Sequence, residues 1–408
     1  ARENLTNPPY EYTEQAIRLM PGAISFFNNL DGQFESVQDV SLLKAFHEAN
    51  DCVIKELECF SAFLQEDLLP RSHGAFAVGE AGIQAILDAE EMIDVPVSLI
   101  LARCYSDLDE VEGQIAEEAR QIDPAATPDE LRRRMLARHP SAEELLPMMH
   151  RELAGMRAYL IERELLSIPA EMPDVIVSPM PSYASGGGMM LTPGPFETVA
   201  KESFLMIHLP QPGWSAERVQ EQLQNFNTYS TVLLFLHEAY PGHHTQFHLE
   251  QRVPMFASKD HDSDSNSDGW AEYGKYMMVD EVYAEQDPLY RFAALVSKRA
   301  YIVRAIIGME IHLGTRTLAQ AADWMEHKAG IMSASAYGLL DRAVYYPTHL
   351  TYHLGCEMVR KLRADYEAAC GINFVLREFH DRFMTYGLIP LAVIRQDMLG
   401  TADDGILF

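Results

Sequence analysis

The chain has 408 residues, with 32 Lys+Arg against 60 Asp+Glu and a formal net charge of −28. Hydrophobic residues make up 48% and charged residues 23%, a globular composition that excludes a disordered chain. The acid excess argues against a nucleic-acid backbone or an anionic membrane as main partner, because both select basic patches.

The opening Ala1-Arg2-Glu3-Asn4 has no basic stretch followed by an apolar run, so no signal peptide is expected and the chain reads as cytoplasmic. No segment approaches the ~20 apolar residues of a membrane span. Leu42, Leu43, Phe46, Val53, Leu57, Phe60, Phe63 and Leu64 recur at helical steps, predicting a helix from Val40 to Leu69 that Pro70 closes. A second follows over Val97 to Ile122 behind Pro96. Thr127-Pro128-Asp129-Glu130 reads as a helix start with Thr127 as N-cap, and Ser141 to Leu166 as a further helix that Pro147 delays or kinks. The five cysteines, Cys52, Cys59, Cys104, Cys356 and Cys370, form no C-x-x-C pair and are expected to be reduced and mostly buried.

Residues 167–213 are different. Eight prolines and Gly186-Gly187-Gly188 exclude continuous helix through most of this stretch, while Val175-Ile176-Val177 and Phe204-Leu205-Met206-Ile207 are β-like. A small β/loop insert is expected, with the glycines serving either close backbone approach to a ligand or a plain turn. Helical periodicity resumes at Ser215 and continues almost to the end, interrupted by the polar run Asp260 to Asp268. That run fails the calcium-loop frame: from Asp262 the sixth position is Ser267 and the twelfth Tyr273, so a solvated loop is expected. The fold class is therefore mainly α, one large helical domain with a small β/loop insert.

The chemistry concentrates in His237-Glu238-Ala239-Tyr240-Pro241-Gly242-His243-His244-Thr245-Gln246. Zinc peptidases of the His-Glu-x-x-His type place two imidazoles at i and i+4 on one helix face, with the Glu as general base. Here i+4 is Pro241, and His243 at i+6 lies about 120° away on a straight helix. Both imidazoles share one metal only if Pro241-Gly242 breaks the helix. Downstream, Ser267 reads as an N-cap, and Asp268 and Glu272 fall at i and i+4. One of these carboxylates would complete the ligand set and the other hold a histidine from behind.

This segment resembles the signature of the DUF885 family of predicted zinc metallohydrolases, related to gluzincin peptidases. Asp268-Gly269-Trp270-Ala271-Glu272-Tyr273 is similar to the family's Glu-Gly-Trp-Ala-x-Tyr, and Arg342, Pro347, Tyr352 and Gly355 fall in its Arg-Tyr…Pro-Gly-Gln-x-x-x-Tyr-x-x-Gly pattern. Phe379-His380-Asp381 and Gly387 to Leu391 resemble the family's end, and Asn4 to Glu14 a stretch well inside its domain. The resemblance thus implies one catalytic domain over 1–408, lacking an N-terminal portion that relatives carry. Asp268 stands where the family has Glu, so Asp268 binds directly or through water, or cedes the role to Glu272. The loop before Tyr352 is one residue short and lacks the family's Gln, which leaves room for His349 or His353 in the pocket.

The expected metal is zinc, or another divalent transition metal, on His237, His243 and Asp268, with Glu272 as alternative or support. A zinc with three protein ligands lowers the pKa of water. Glu238 would take up the proton, Tyr352 would steady the developing oxyanion unless it is a core tyrosine, and Arg342 would meet a substrate carboxylate or form an ion pair with an acid such as Asp341. His312 also falls at a family position, for which packing or support of the site is expected. The leading expectation is a hydrolase of an amide or peptide-like bond in a small molecule or peptide. The alternatives are a metal-dependent lyase, cyclase or dehydratase on a carboxylate-bearing metabolite, and a non-enzymatic binding protein.

Overall fold

In the computed structural model, which describes residues 2–34, 36–181, 188–210, 213–329 and 333–400, the segments with helical apolar spacing are helices. Val40–Phe63 is one, continued by a wider turn over Leu64–Leu68 and a tight one at Leu69–Arg71, where Pro70 ends it. Much of its apolar stripe stays outside the core: Leu42 and Val53 are exposed, because the helix packs mainly against Tyr10–Asn28, while Leu64 at its end is buried. Cys52 and Cys59 on that helix are consequently exposed, Cys370 is half-buried, and only Cys104 and Cys356 are buried among five free cysteines. The expectation of mostly buried thiols is corrected accordingly.

Val97–Ile122 forms as the periodicity dictates. Pro128–Leu136 starts on Thr127, whose hydroxyl accepts the amide of Glu130 at 3.2 Å. Ser141 caps Ala142–Glu162 reciprocally with Glu144, and the helix runs on through Pro147. Pro147 is the sixth residue of this helix, so its missing N–H leaves a single ladder bond, to the Glu143 carbonyl, unmade near the helix start.

The insert holds a three-stranded sheet: β1 (Val175–Pro179), β2 (Gly188–Leu191) and β3 (Ser203–Ile207), in the order β1-β3-β2. β1 and β3 are parallel with Val175 opposite Ser203, and β2 and β3 antiparallel with Gly188 opposite Ile207. β1 and β3 are the two β-like runs of the sequence. β2 had no such signal, since it opens on glycine and borrows its pairing from β3. Of the triple glycine only Gly188 lies within the described residues.

The core is built around the helix Asp264–Met278, in which every residue from Ser265 to Met278 is buried. Thr228–Glu238 and Thr351–Cys370 pack directly on it, while Leu289–Leu313 joins Val97–Ile122 to that assembly. The contact with Thr351–Cys370 is backbone to backbone. A Cβ on Gly269 would lie 2.5 Å from the carbonyl carbon of Gly355, and one on Gly355 would lie 2.1 Å from the Ser265 carbonyl oxygen. Only glycine allows that approach.

The polar run before Asp268 is corrected from a solvated loop to a buried helix start. The helix begins at Asp264, and Ser263, not Ser267, is its N-cap, accepting the amide of Asn266 at 3.3 Å. The buried carboxylate of Glu91 accepts the Ser263 hydroxyl at 2.5 Å and the amides of Asp264 and Ser265 at 3.0 and 3.2 Å; the Ser265 hydroxyl also bonds to it. An acid 172 residues upstream thus satisfies the first donors of this helix, which local sequence cannot reveal.

Candidate metal centre

Asn227 caps Thr228–Glu238, its side chain accepting the amides of Tyr229 and Ser230 at 3.1 Å each. This helix carries His237 to its last turn and stops at Glu238. The chain then turns widely: Tyr240 N donates to Phe235 O, Gly242 N to Leu236 O, and Thr245 N to Ala239 O. These five- and six-residue spans replace the four-residue ladder, so the two additional residues are taken up where Pro241-Gly242 stands. A Cβ on Gly242 would lie 1.6 Å from the His237 carbonyl oxygen, so the turn needs glycine. Trp270 Nε1 donates to the Pro241 carbonyl at 2.9 Å and ties the turn to the central helix. A new helix, His243–Glu250, begins at His243.

The break brings the two imidazoles together, with ring centroids 4.8 Å apart at 88°. Nε2 of His243 lies 3.3 Å and Nε2 of His237 3.7 Å from the same Asp268 oxygen, and the three ligand atoms are all within 4.8 Å of one another. Ligands about 2.1 Å from a tetrahedral zinc are about 3.4 Å from each other, so the donor set fits such an ion with small adjustments. The surroundings fit as well. Glu272 Oε1 is 2.9 Å from His237 Nδ1, leaving this imidazole between two carboxylates. The N–H direction is not aligned with that short contact, and Nδ1 has no well-directed hydrogen bond; the distance still places a carboxylate behind the ring. A neutral imidazole has one N–H, so a cation at Nε2 resolves the two-sided confrontation.

Glu272 is 1% exposed and accepts two bonds from Lys275 Nζ at 2.7 Å and one from the Tyr276 hydroxyl at 2.8 Å. Burial alone would raise its pKa, but the Lys275 ammonium and His237 outweigh that and hold it at about 2. Burial likewise pulls His243 down, and the Asp268 carboxylate overrides it to leave the imidazole raised. Asp268 therefore faces both Nε2 atoms, while Glu272 stands behind His237.

Tyr352 lies parallel to His237, with centroids 6.0 Å apart at 9°, and is 7% exposed. Burial, then the Asp268 charge, push its phenol well up, so the hydroxyl keeps its proton. The guanidinium of Arg342 is 6.0 Å from the Tyr352 ring centroid and does not pair with Asp341, which binds Arg18 at 2.6 Å. His349 is buried beside Tyr352, whereas His353 turns away to Asp107 at 2.8 Å. His312 is structural, its Nε2 bonded to the Ala343 carbonyl at 2.8 Å and its Nδ1 accepting the Val78 amide at 3.4 Å. Glu238 is half-buried and, with His237, Leu234, Val296, Ala300 and Tyr301, borders a cavity of about 400 Å³. A larger cavity of about 690 Å³, lined by Arg103, Lys298, Glu357 and Arg360, touches none of His237, His243 and Asp268.

Sequence reasoning missed Lys275, Tyr301 and Arg304. Lys275 was marked only by its position three after Glu272, a helical ion-pair spacing. Tyr301 and Arg304, likewise three apart on Leu289–Leu313, had no motif around them.

The profile of DUF885, described as a bacterial protein of unknown function, matches residues 1–398. The chain belongs to the DUF885 family. Two solved structures share its fold. One, "a putative lipoprotein of unknown function" from Shewanella oneidensis, aligns with a TM-score of 0.79 at 22% identity over 98% of this chain and 74% of that one. The other, a "putative lipoprotein" from Colwellia psychrerythraea, aligns with a TM-score of 0.81 at 19% identity over 97% of this chain and 71% of that one. No curated protein matches the chain. Among the described residues, no helix of this family member is long and apolar enough to cross a membrane.

Proposed function

We propose that this DUF885 protein is a zinc-dependent hydrolase of an amide or peptide-like bond. The observation that carries the reading is the convergence of His237, His243 and Asp268 on one point, with Glu238 adjacent in the chain to the first ligand. Zinc held there would polarise the substrate carbonyl and make water acidic near neutral pH. Glu238, at the rim of the 400 Å³ cavity, takes the proton that water gives up and passes it to the leaving nitrogen. Tyr352 keeps its phenolic proton and donates to the oxygen on which charge develops. Glu272, kept ionised by Lys275, stands 2.9 Å behind Nδ1 of His237 and supports the orientation of its ring.

The test has two parts. Purified protein should carry about one zinc per chain by elemental analysis, consistent with three protein ligands. Glu238→Gln should keep that zinc yet lose roughly 10²–10⁴ in kcat toward a panel of peptides and N-acyl amino acids. Absence of stoichiometric metal, or full activity in the variant, rejects the reading.

A further inference from the structure

In a chain with 60 acids and 32 basic residues, a cation near a functional centre usually finds a carboxylate. Lys275 pairs with Glu272, Lys298 with Glu357, and Arg316 with Glu310. Arg304 and Arg342 are exceptions: among the described residues neither forms an ion pair with a carboxylate. Both nevertheless converge on Tyr352, the ring that lies parallel to His237.

Arg304 is held by aromatic faces. Its guanidinium carbon is 4.7 Å from the Tyr301 ring centroid and 4.9 Å from that of Tyr352, and these rings are 5.3 Å apart at 19°. Nη2 is 3.2 Å from Nε2 of His349. Arginine only donates, so His349 accepts there and is neutral, as burial and the two arginines both require. Nε is buried and has no partner. The planar fork is thus fixed in orientation with donor capacity to spare, an arrangement suited to two-pronged binding of a carboxylate. The charges agree. With a divalent ion present, Asp268 and Glu238 together offset it, and the two guanidiniums remain as local positive charge.

We infer that Arg304, with Arg342 beside it, is the recognition element for a free carboxylate of the substrate, so that the preferred substrates are N-acyl amino acids or peptides with an uncapped C-terminus near the scissile bond. The inference rests on the hydrolase reading for its substrate class, but carboxylate binding itself is measurable without turnover.

The experiment compares binding of N-acetyl amino acids, with small, apolar, acidic and basic side chains, to binding of their C-terminal amides. Isothermal titration is run on zinc-loaded and zinc-stripped protein. Wild type should bind the best acid roughly ten- to hundredfold more tightly than its amide, the scale of a charge-assisted hydrogen-bond pair. Arg304→Met should abolish that preference and Arg304→Lys restore part of it, at unchanged zinc content and melting temperature. No binding of any acid, equal binding of acid and amide, or a preference that survives in Arg304→Met overturns the inference, the last because the metal would then be reading the carboxylate. If the preference holds and depends on Arg304 while no panel member is hydrolysed, the carboxylate site stands and the hydrolase reading falls.

Discussion

Glu272 and His237 face each other across 2.9 Å, on the ring edge away from Asp268. The pair sits in a fully buried setting, where an ionised carboxylate persists only because Lys275 and Tyr276 also bind it. This makes Lys275 the residue on which the whole arrangement leans.

Replacing Lys275 by Met should leave Glu272 buried with its main counter-charge gone. The expected cost is about 3–5 kcal/mol of folding stability, read as a lower urea midpoint at constant slope. Adding Glu272→Gln should recover much of that loss, since the uncompensated charge is then removed. A double variant no more stable than Lys275→Met would show that the lysine acts by packing.

Gly355→Ala tests the crossing of the two central helices. The new Cβ meets the Ser265 carbonyl oxygen at 2.1 Å, a backbone atom of a buried helix that cannot turn aside. Overpacking of this kind typically costs about 1–3 kcal/mol or more. The helix displaced is the one that carries Asp268, so weaker zinc binding should accompany the lower melting temperature. A variant with wild-type stability would mean that the helices separate without penalty.

Zinc should stabilise the folded chain through His237, His243 and Asp268. At free zinc one hundred times its dissociation constant, the gain is about 2.7 kcal/mol, seen as a raised melting temperature. His243→Ala should remove most of that gain, whereas Glu272→Gln should weaken binding about 10–100-fold without abolishing it, as expected for a residue that holds a ligand. Equal losses in the two variants would count against Asp268, and for Glu272, as the third ligand.

The sequence made the helical fold legible wherever amphipathic spacing met a local stop: Val97–Ile122 and the Thr127 cap appear as read. His237, His243 and Asp268, which the fold brings together, are also residues that the sequence nominates: a Pro-Gly break between two histidines is a local signal, while Asp268 and Glu272, one helical turn apart, stay alternatives. What escaped was set by partners distant in the chain. Glu91 converts a stretch that looks like solvated loop into a buried helix start, and no periodicity near residue 263 reports an acid near residue 91. Arg304 escaped for the same reason, since its significance lies in Tyr352 and His349, which fold back onto it from the next long helix and its approach.

Glu250, at the other end of the helix that begins with His243, offers a pH test on a carboxyl outside the His237, His243 and Asp268 group. It is 4% exposed, and burial, with the Asp262 charge second, raises its carboxyl to about 7, above the ordinary 4.5. A carboxyl raised in the folded state is protonated there while the unfolded chain has already ionised. Its contribution is therefore nil below about pH 4.5 and turns progressively destabilising as pH rises toward 7, then levels off. Because Glu250 is not wholly sealed from solvent, the plateau should amount to about 2 kcal/mol rather than the full linkage value. Glu250→Gln should thus leave stability unchanged at pH 4 and raise it at pH 8, measured by urea unfolding at both. A variant that gains equally at both pH values would show that the effect is one of packing and not of the carboxyl proton.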